Sequence, residues 1–469
     1  MIKDDWVECE LGKICKINMG QSPPSSTYNN DNLGLPFFQG KAEFTDLYPI
    51  VKKWCSEPKK TAEKDDILLS VRAPVGATNI ANQKCAIGRG LAAITYKYAS
   101  KFIWYYLKSI EQYLDKQGTG TTFRAISGTV LKSQKILIPS LPEQRAIVAK
   151  IETLFSDLDK GIADLKTAQE QLKIYRQAVL KKAFEGELTK KWREKQTDLP
   201  TADELLEQIK KEREDHYNKQ IEEWKKTVKK WEENGKEGKK PGKPKKLNEV
   251  ENIVYKYKTD IPSCNWTIIN FLDFVTLQRG YDLPLKNIIE GEHPVITSGG
   301  IAGYHNEYRA NGPALITGRS GGVGNIHFLD VEYYWPHNTV LHVKDFKGNY
   351  PKYIYLFFLI FDFKSHSAST AVPTLDRKML YKLPVKIPGI KEQHQIVQEI
   401  EARLSVCDKL EQTITESLEK SNSLRQSILK KAFAGKLLNK AELEKCKQDK
   451  NYEPASELLK KIKAEKTKQ

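Results

Sequence analysis

The chain has 469 residues, enough for two or more domains with their own cores, and a formal net charge of +16. Such an excess of Lys and Arg favours a polyanionic partner, nucleic acid or an acidic membrane surface. No apolar run approaches the length of a membrane span, MIKDDWVECE lacks an apolar secretory core, and the seven scattered Cys include no CxxC pair. These features argue against membrane insertion, secretion, a disulfide framework and a zinc site, so a cytoplasmic location is expected.

Residues 1–142 read as a module of mixed α/β (α+β) class. Short runs such as PFFQG, DILLSV, GLAAITY and SQKILIP alternate with Gly, Pro, Ser and Asn clusters, the pattern of strands joined by turns. FIWYYLKSIEQYLDK sets its aromatic and aliphatic residues at helical spacing and predicts one helix over 99–117. A long helix follows over 143–190, with Pro142 suited to its first turn and Glu143 to its positive end. Ile151, Leu158, Leu165, Leu172 and Val179 recur every seven residues, with Leu154, Ala168 and Tyr175 between them. That is a coiled-coil seam.

Residues 191–260 form a charged insert. ADELLEQIKKEREDHYNKQIEEWKKTVKKWEEN predicts a helix whose main apolar positions are Leu205, Ile209, Tyr217, Ile221, Trp224, Val228 and Trp231. GKEGKKPGKPKK then predicts a mobile basic loop, either a solvated linker or a grip on phosphate. Residues 261–391 repeat the order of the first module: HPVITSGG parallels LPFFQG, PALITGRSGGVGNI parallels DILLSVRAPVGATNI, and KYIYLFFLIF parallels KFIWYYLKSI. A second coiled-coil helix is expected over 392–440, with Ile400, Cys407, Ile414 and Ile428 in the heptad places and Leu404, Leu410, Leu418 and Leu424 flanking them. The tail, 441–469, contains EPASELLKKIKAEK, an echo of LPTADELLEQIKKER, and is expected to pack beside the first module.

The duplication is explicit in the helices. Residues 136–188 align without a gap to 385–437, at an offset of 249, with 21 of 53 positions identical. A period of this length is no solenoid unit; the chain is two copies of one plan, an internal pseudo-twofold repeat. Two equivalent amphipathic helices supply each other's partner, and their connection through a globular segment favours antiparallel pairing. About 42 residues make a rod of roughly 60 Å. The modules diverge far more than the helices, as two domains of like fold and unlike specificity would.

Catalytic motifs are missing. The sequence has no GxxxxGK[ST], no GxGxxG, no Asn-Pro-Pro-aromatic tetrapeptide and no HExxH. GRSGG at 318–322 matches GxSxG, but a nucleophile elbow requires a following helix and VGNIHFLD reads as strand. No catalytic, cofactor-binding or metal residue is therefore assigned. The modules carry basic and polar residues on glycine-rich loops: Gln21, Lys41, Arg72, Arg89 and Arg124 in the first, and Arg279, Tyr281, Ser298, His305, Arg319, Ser320 and Asn338 in the second. Arg suits guanine O6/N7, Asn suits adenine, and Ser, Tyr and backbone N–H groups suit phosphates. Each taken singly is also an ordinary surface or turn residue.

The plan resembles the specificity (S) subunit of Type I restriction–modification enzymes. The resemblance is carried by Pro139, Glu143, Gln144, Ile147 and Val148 with 181–184 and Gly186, and by Pro388, Glu392, Gln393, Ile396 and Val397 with 430–433 and Gly435. RGYDLP, PVITSGGIAGYHNEY, ITGRSGGVGNIHF and YYWPHNTVLHV look like a recurring type of target recognition domain. What the resemblance implies is a non-catalytic subunit of a DNA-modifying complex. Each module would read one half of a bipartite, asymmetric double-stranded DNA site, with the helices as a ruler between half-sites. Two modification (methyltransferase) subunits would dock on the helices and restriction (translocase/nuclease) subunits would join them; S-adenosylmethionine, ATP and Mg would then belong to those partners. The long insert departs from the pattern and leaves its contacts with a modification subunit open. The rival reading is a coiled-coil scaffold whose globular ends bind protein.

Overall fold

The computed structural model describes residues 5–119, 124–238, 240–244, 265–368 and 373–467. The chain forms two compact units, one of residues 1–167 and 414–469 and the other of residues 168–413.

The module of the first unit is built from three sheets. Val7–Glu10 pairs antiparallel with Lys135–Ile138 and closes its base. Lys16–Met19, Leu91–Thr95, Ile67–Ser70 and Thr78–Ile80 form a four-stranded sheet in that order. Tyr28–Asn29, Trp54–Cys55, Leu35–Phe38, Cys85–Ile87 and Thr61–Ala62 form a five-stranded one. The apolar run ILLS is continuous because both faces of its sheet are buried. Ile67, Leu69, Ala92 and Ile94 face the core shared with the helix Ser100–Ser109, while Leu68, Leu91 and Ala93 pack with Phe38, Cys85 and Ile87 of the other sheet. The helix expected over 99–117 is two, Ser100–Ser109 and Glu111–Gln117, broken at Ile110. The break lets Leu114 enter the core and the Asp115 carboxylate accept the Val75 N–H at 3.2 Å.

The second unit repeats this plan. Thr267–Asn270 pairs with Pro384–Ile387, and Thr276–Arg279, Val340–Asp345, Ala314–Gly318 and Ile326–Leu329 form the central sheet. Gly300–His305, His293–Thr297, Tyr333–Pro336 and Ala310–Asn311 form the outer sheet, with the same parallel pairing at its centre as in the first module.

The long helices run Leu141–Phe184 and Ile390–Phe433. Their shared start motif solves a buried-polar problem where a strand meets a helix. Gln144 and Gln393 are buried and donate to the carbonyls of Pro139 (3.0 Å) and Pro388 (3.1 Å). Their amide oxygens accept from the Tyr96 hydroxyl and the Tyr350 N–H. The shared end motif is a helix stop: Gly186 and Gly435 have φ of 78° and 70°, the left-handed region that favours glycine.

The helices pair antiparallel within each unit. In the first, Ile147 and Ile151 from the start of one helix share a core with Ile428, Leu429 and Ala432 from the end of the other. In the second, Val179 and Ala183 meet Ile396, Val397 and Ile400. Cys407 and Ile414 are buried, and Leu158, Leu165 and Leu172 are half-buried. Part of the expected seam is corrected: Tyr175, Leu410 and Leu424 are 46%, 48% and 46% exposed. The next residues, Arg176, Glu411 and Arg425, turn inward instead, because here the seam steps by four residues and then three. Arg176 Nη2 reaches Asp408 at 2.7 Å and Glu411 at 2.9 Å, and in the other unit Arg425 pairs with Asp159. Arg176 and Arg425 are repeat equivalents, as are Asp159 and Asp408.

The segments after the helices are equivalent too. Leu458, Leu459 and Ile462 of the helix Ala455–Thr467 enter the first core, and Leu206 and Ile209 of the helix Ala202–Glu233 pack in the second. Lys466 donates to the carbonyl of Cys15 at 2.6 Å and to that of Gly12, while Arg213 binds the Asp273 carboxylate at 3.0 Å and its carbonyl. Of the basic stretch after residue 234, expected to be mobile, the described residues 235–238 and 240–244 lie back along the insert helix. Trp224 and Trp231 donate to the carbonyls of Pro241 (3.0 Å) and Gly238 (3.3 Å), and Lys243 and Lys240 lie 5.9 Å from the respective rings. Lys239, Lys245 and Lys246 lie outside the described residues.

Candidate nucleic-acid interface

In each module the candidate loops meet at one short turn. In the first module this is residues 88–90, the link between an outer strand and the central strand Leu91–Thr95. Gly88 N–H donates to Phe38 O at 2.8 Å, and Gly90 O accepts the Val71 N–H at 2.9 Å. Beside the turn, Ile87 O accepts the Gln21 N–H at 3.1 Å and Leu91 O the Gly20 N–H at 2.9 Å. The loops after three strands, Lys16–Met19, Leu35–Phe38 and Ile67–Ser70, are thus tied to one hub.

The second module has the same hub at 337–339. His337 N–H donates to Ile296 O (2.9 Å), Arg319 N–H to Thr339 O (2.8 Å), Tyr281 N–H to Pro336 O (2.8 Å) and Gly280 N–H to Val340 O (3.1 Å). Glycine is required beside each hub by close approach. A Cβ on Gly20 would stand 2.2 Å from Gly88 O, and one on Gly280 would stand 2.0 Å from His337 O.

These bonds set the correspondence between modules. Arg89 answers to Asn338, Gln21 to Tyr281, and Ser22 to Asp282. The strand pairing Leu91 to Ser70 matches Val340 to Gly318. Arg72 therefore corresponds to Ser320 and not to Arg319, and both make equivalent bridges, to Ala125 and Thr374. Ile126 N–H and Leu375 N–H close the same contact on the carbonyls of Val71 and Arg319.

Most sequence candidates surround the hub. Gln21, Lys41, Arg72 and Arg89 are exposed, and Arg89 N–H donates to Ser22 Oγ at 3.2 Å. Arg124 is exposed, 3.9 Å from Asp115, in a loop whose residues 120–123 are outside the described residues. Arg279 lies 3.9 Å from Asp282, whose Oδ1 also accepts from Asn338 Nδ2. The Tyr281 hydroxyl accepts from Gln278 Nε2 at 2.8 Å. Ser298 N–H donates to Thr339 Oγ1 at 3.3 Å, and Ser298 O accepts from Asn325 Nδ2 at 3.1 Å. Arg319 Nη1 donates to Asn338 O at 3.4 Å.

His305 is a correction. It is 5% exposed, its Nδ1 accepts the Ile289 N–H at 3.0 Å, and its ring packs against Trp335. Its place is in the frame beneath the loops. The residues missed were Ser22, Asp282 and Thr339, which orient the tips; the 249-residue offset, carried through the outer strands, locates the third. Beyond Ser320 the chain enters the strand Ile326–Leu329, the wrong geometry for a nucleophile elbow. Among the described residues no cluster of three or more His, Cys, Asp or Glu could hold a metal, and no helix is long and apolar enough to cross a membrane.

The fold and its loops define a class: a duplicated two-module protein with a long helix after each module and one loop hub per module. Comparison with known proteins places it further. The model of the Type I restriction modification DNA specificity domain matches residues 3–167 and 240–420. A Methanocaldococcus jannaschii protein described as the MjaX specificity subunit of a type I restriction enzyme is 41% identical over 192 residues, 40% of this chain and 44% of that protein. The type I restriction enzyme EcoDI specificity subunit of Escherichia coli is 24% identical over 475 residues, 98% of this chain and 95% of that one. The crystal structure of the HsdS subunit from Thermoanaerobacter tengcongensis is similar at 46% identity over 40% of this chain and 46% of that one, with a TM-score of 0.34. The chain belongs to the Type I restriction–modification DNA specificity family.

Proposed function

We propose that the chain is the DNA-recognition subunit of a Type I restriction–modification complex in the cytoplasm, and that it is non-catalytic. Each module reads one half of a bipartite, asymmetric double-stranded site. The observation that carries this reading is the repeated hub, with the same backbone clamps in both modules and different side chains on them. Equal frames with unequal tips suit two unlike half-sites. The charge of +16 supplies phosphate affinity that falls steeply with salt. Two modification subunits dock on the paired helices, restriction subunits join them, and S-adenosylmethionine, ATP and Mg are held by those partners.

The test is selection of duplexes from a random library by the chain assembled with its modification subunits. Recovery of two short motifs at a fixed separation supports the reading. A single contiguous motif, or none, refutes it. Replacing residues 1–142 by the module of another family member should then change one motif only.

A further inference from the structure

The two hub tips are one position of the fold carrying two different side chains. Residues 88–90 and 337–339 stand 249 apart, and four equivalent backbone hydrogen bonds hold each. The backbone beneath Arg89 is therefore positioned in its module as that beneath Asn338 is in its own. Resting on the DNA-reading function proposed above, we propose that this position is the base-discriminating residue of each module. Arg89 selects guanine in the half-site of the first module, and Asn338 selects adenine in the half-site of the second.

The side chains around each tip fit that assignment. Arg89 is exposed, and among the described residues no carboxylate pairs with it. Its fork of donors is available for guanine O6 and N7. The other arginine candidates are committed differently: Arg124 faces Asp115, Arg279 faces Asp282, and Arg319 donates to the carbonyl of Asn338. Arg72 is exposed, but it sits where the second module has Ser320, at the bridge to the loop after the module's helices. A phosphate contact suits both residues there.

Asn338 is held by its neighbour. One Nδ2 hydrogen goes to Asp282 Oδ1, leaving the other hydrogen and Oδ1, the acceptor–donor pair that matches adenine N6 and N7. Asp282 occupies the place of Ser22, so the supporting residue changes together with the tip. A carboxylate orients an amide; beside Arg89 it would compete with the base for the guanidinium, and serine does not.

The experiment uses the assembled complex with its modification subunits and a random-duplex library, read by sequencing. Arg89→Asn should convert one guanine of the first half-site toward adenine, with a loss of guanine preference of roughly 10- to 100-fold, and leave the second half-site unchanged. Asn338→Arg should do the reverse in the second half-site only. Asp282→Ala should broaden the choice at the Asn338 base without altering other positions. Arg72→Ala should weaken all sequences alike and flatten the salt dependence. The untouched half-site reports that each variant is folded. If the wild type selects a bipartite site but Arg89→Asn and Asn338→Arg select the same one, or merely bind every sequence more weakly, the assignment is overturned while the DNA-reading function stands. If the wild type selects no bipartite site, both fall.

Discussion

Arg213→Met tests how the insert helix is held to the second module. The Arg213 and Asp273 side chains are 10% and 12% exposed, and the guanidinium binds both the carboxylate and the main-chain carbonyl of Asp273. Methionine replaces most of the buried volume but leaves a carboxylate in a site that has already shed its water. Breaking a buried pair in this way costs about 3–5 kcal/mol. The pH dependence identifies the cause. Burial holds the Asp273 carboxyl above its ordinary range, and Arg213 opposes that shift. A group whose pKa is raised by folding contributes stability that is present in acid and lost as pH rises through the folded value. Removing Arg213 raises it further, so the deficit of the variant should be smaller at about pH 4 than at about pH 8. Adding Asp273→Asn removes the stranded charge and should recover much of the loss. Urea unfolding of the full chain, with hydrogen exchange at the amides of residues 271–275, measures both quantities. A deficit below about 1 kcal/mol, or one equal at both pH values, would refute the reasoning.

His342 is 3% exposed, its Nδ1 meets the Tyr334 hydroxyl at 3.1 Å, and burial pushes its pKa down to about 4. The unfolded chain takes up the proton first, so stability should fall as pH drops from about 6.5 toward 4, by about 3 kcal/mol in all. Unfolding curves for His342→Gln should lack that slope; a slope equal to wild type would reject the assignment. The pair Arg176–Asp408 can be inverted. Arg176→Asp alone should destabilise by about 1 kcal/mol, and adding Asp408→Arg should recover part of the loss, because Glu411 still faces position 176, read by thermal unfolding. A double variant no better than the single one would mean that the pair does not help set the register. Trp224→Ala with Trp231→Ala removes the two rings on which residues 240–244 rest. Tryptic cleavage after Lys236, whose bond to Glu237 is not blocked by proline, should accelerate while DNA half-site choice stays unchanged, and cleavage at the wild-type rate would show that the rings do not hold the segment.

Much of this architecture was legible because its signals are periodic or duplicated. A seven-residue recurrence of Ile and Leu announces a long helix, and a gapless offset of 249 announces two of them. The misreadings share one cause, in that spacing along the chain does not fix direction in space. Tyr175, Leu410 and Leu424 are more apolar than the residues that follow them, yet Arg176, Glu411 and Arg425 turn inward because opposite charges face each other there. Arg72 and Arg319 look equivalent as letters, and only the strand pairing shows that the true register is one residue away. His305 sits beside glycines in an apparently exposed loop, but it fills the space under Trp335. The helix break at Ile110 has no glycine or proline to announce it.

The unequal divergence of the repeat invites the idea that the helices are alike because partners dock on them alike. The contacts give a nearer cause for many of the identities. Gln144 and Gln393 satisfy buried carbonyls, and Gly186 and Gly435 provide left-handed helix stops. Glu152 and Glu401 pair with Lys101 and Lys352 of their own modules, at 2.6 and 2.9 Å. Asp159 and Asp408 pair with Arg425 and Arg176. Even the buried Glu143 and Glu392 are kept with different donors: Trp6 Nε1 for the first, Thr189 and Arg193 for the second. Those demands come from folding and would persist with no partner at all. The identities that can report a shared docking surface are the exposed ones with no such duty, above all Lys160 and Lys409. Under the proposed function, a search for a partner's footprint on the helices begins there, because among the described residues those side chains recur with no ion pair or hydrogen bond to explain them.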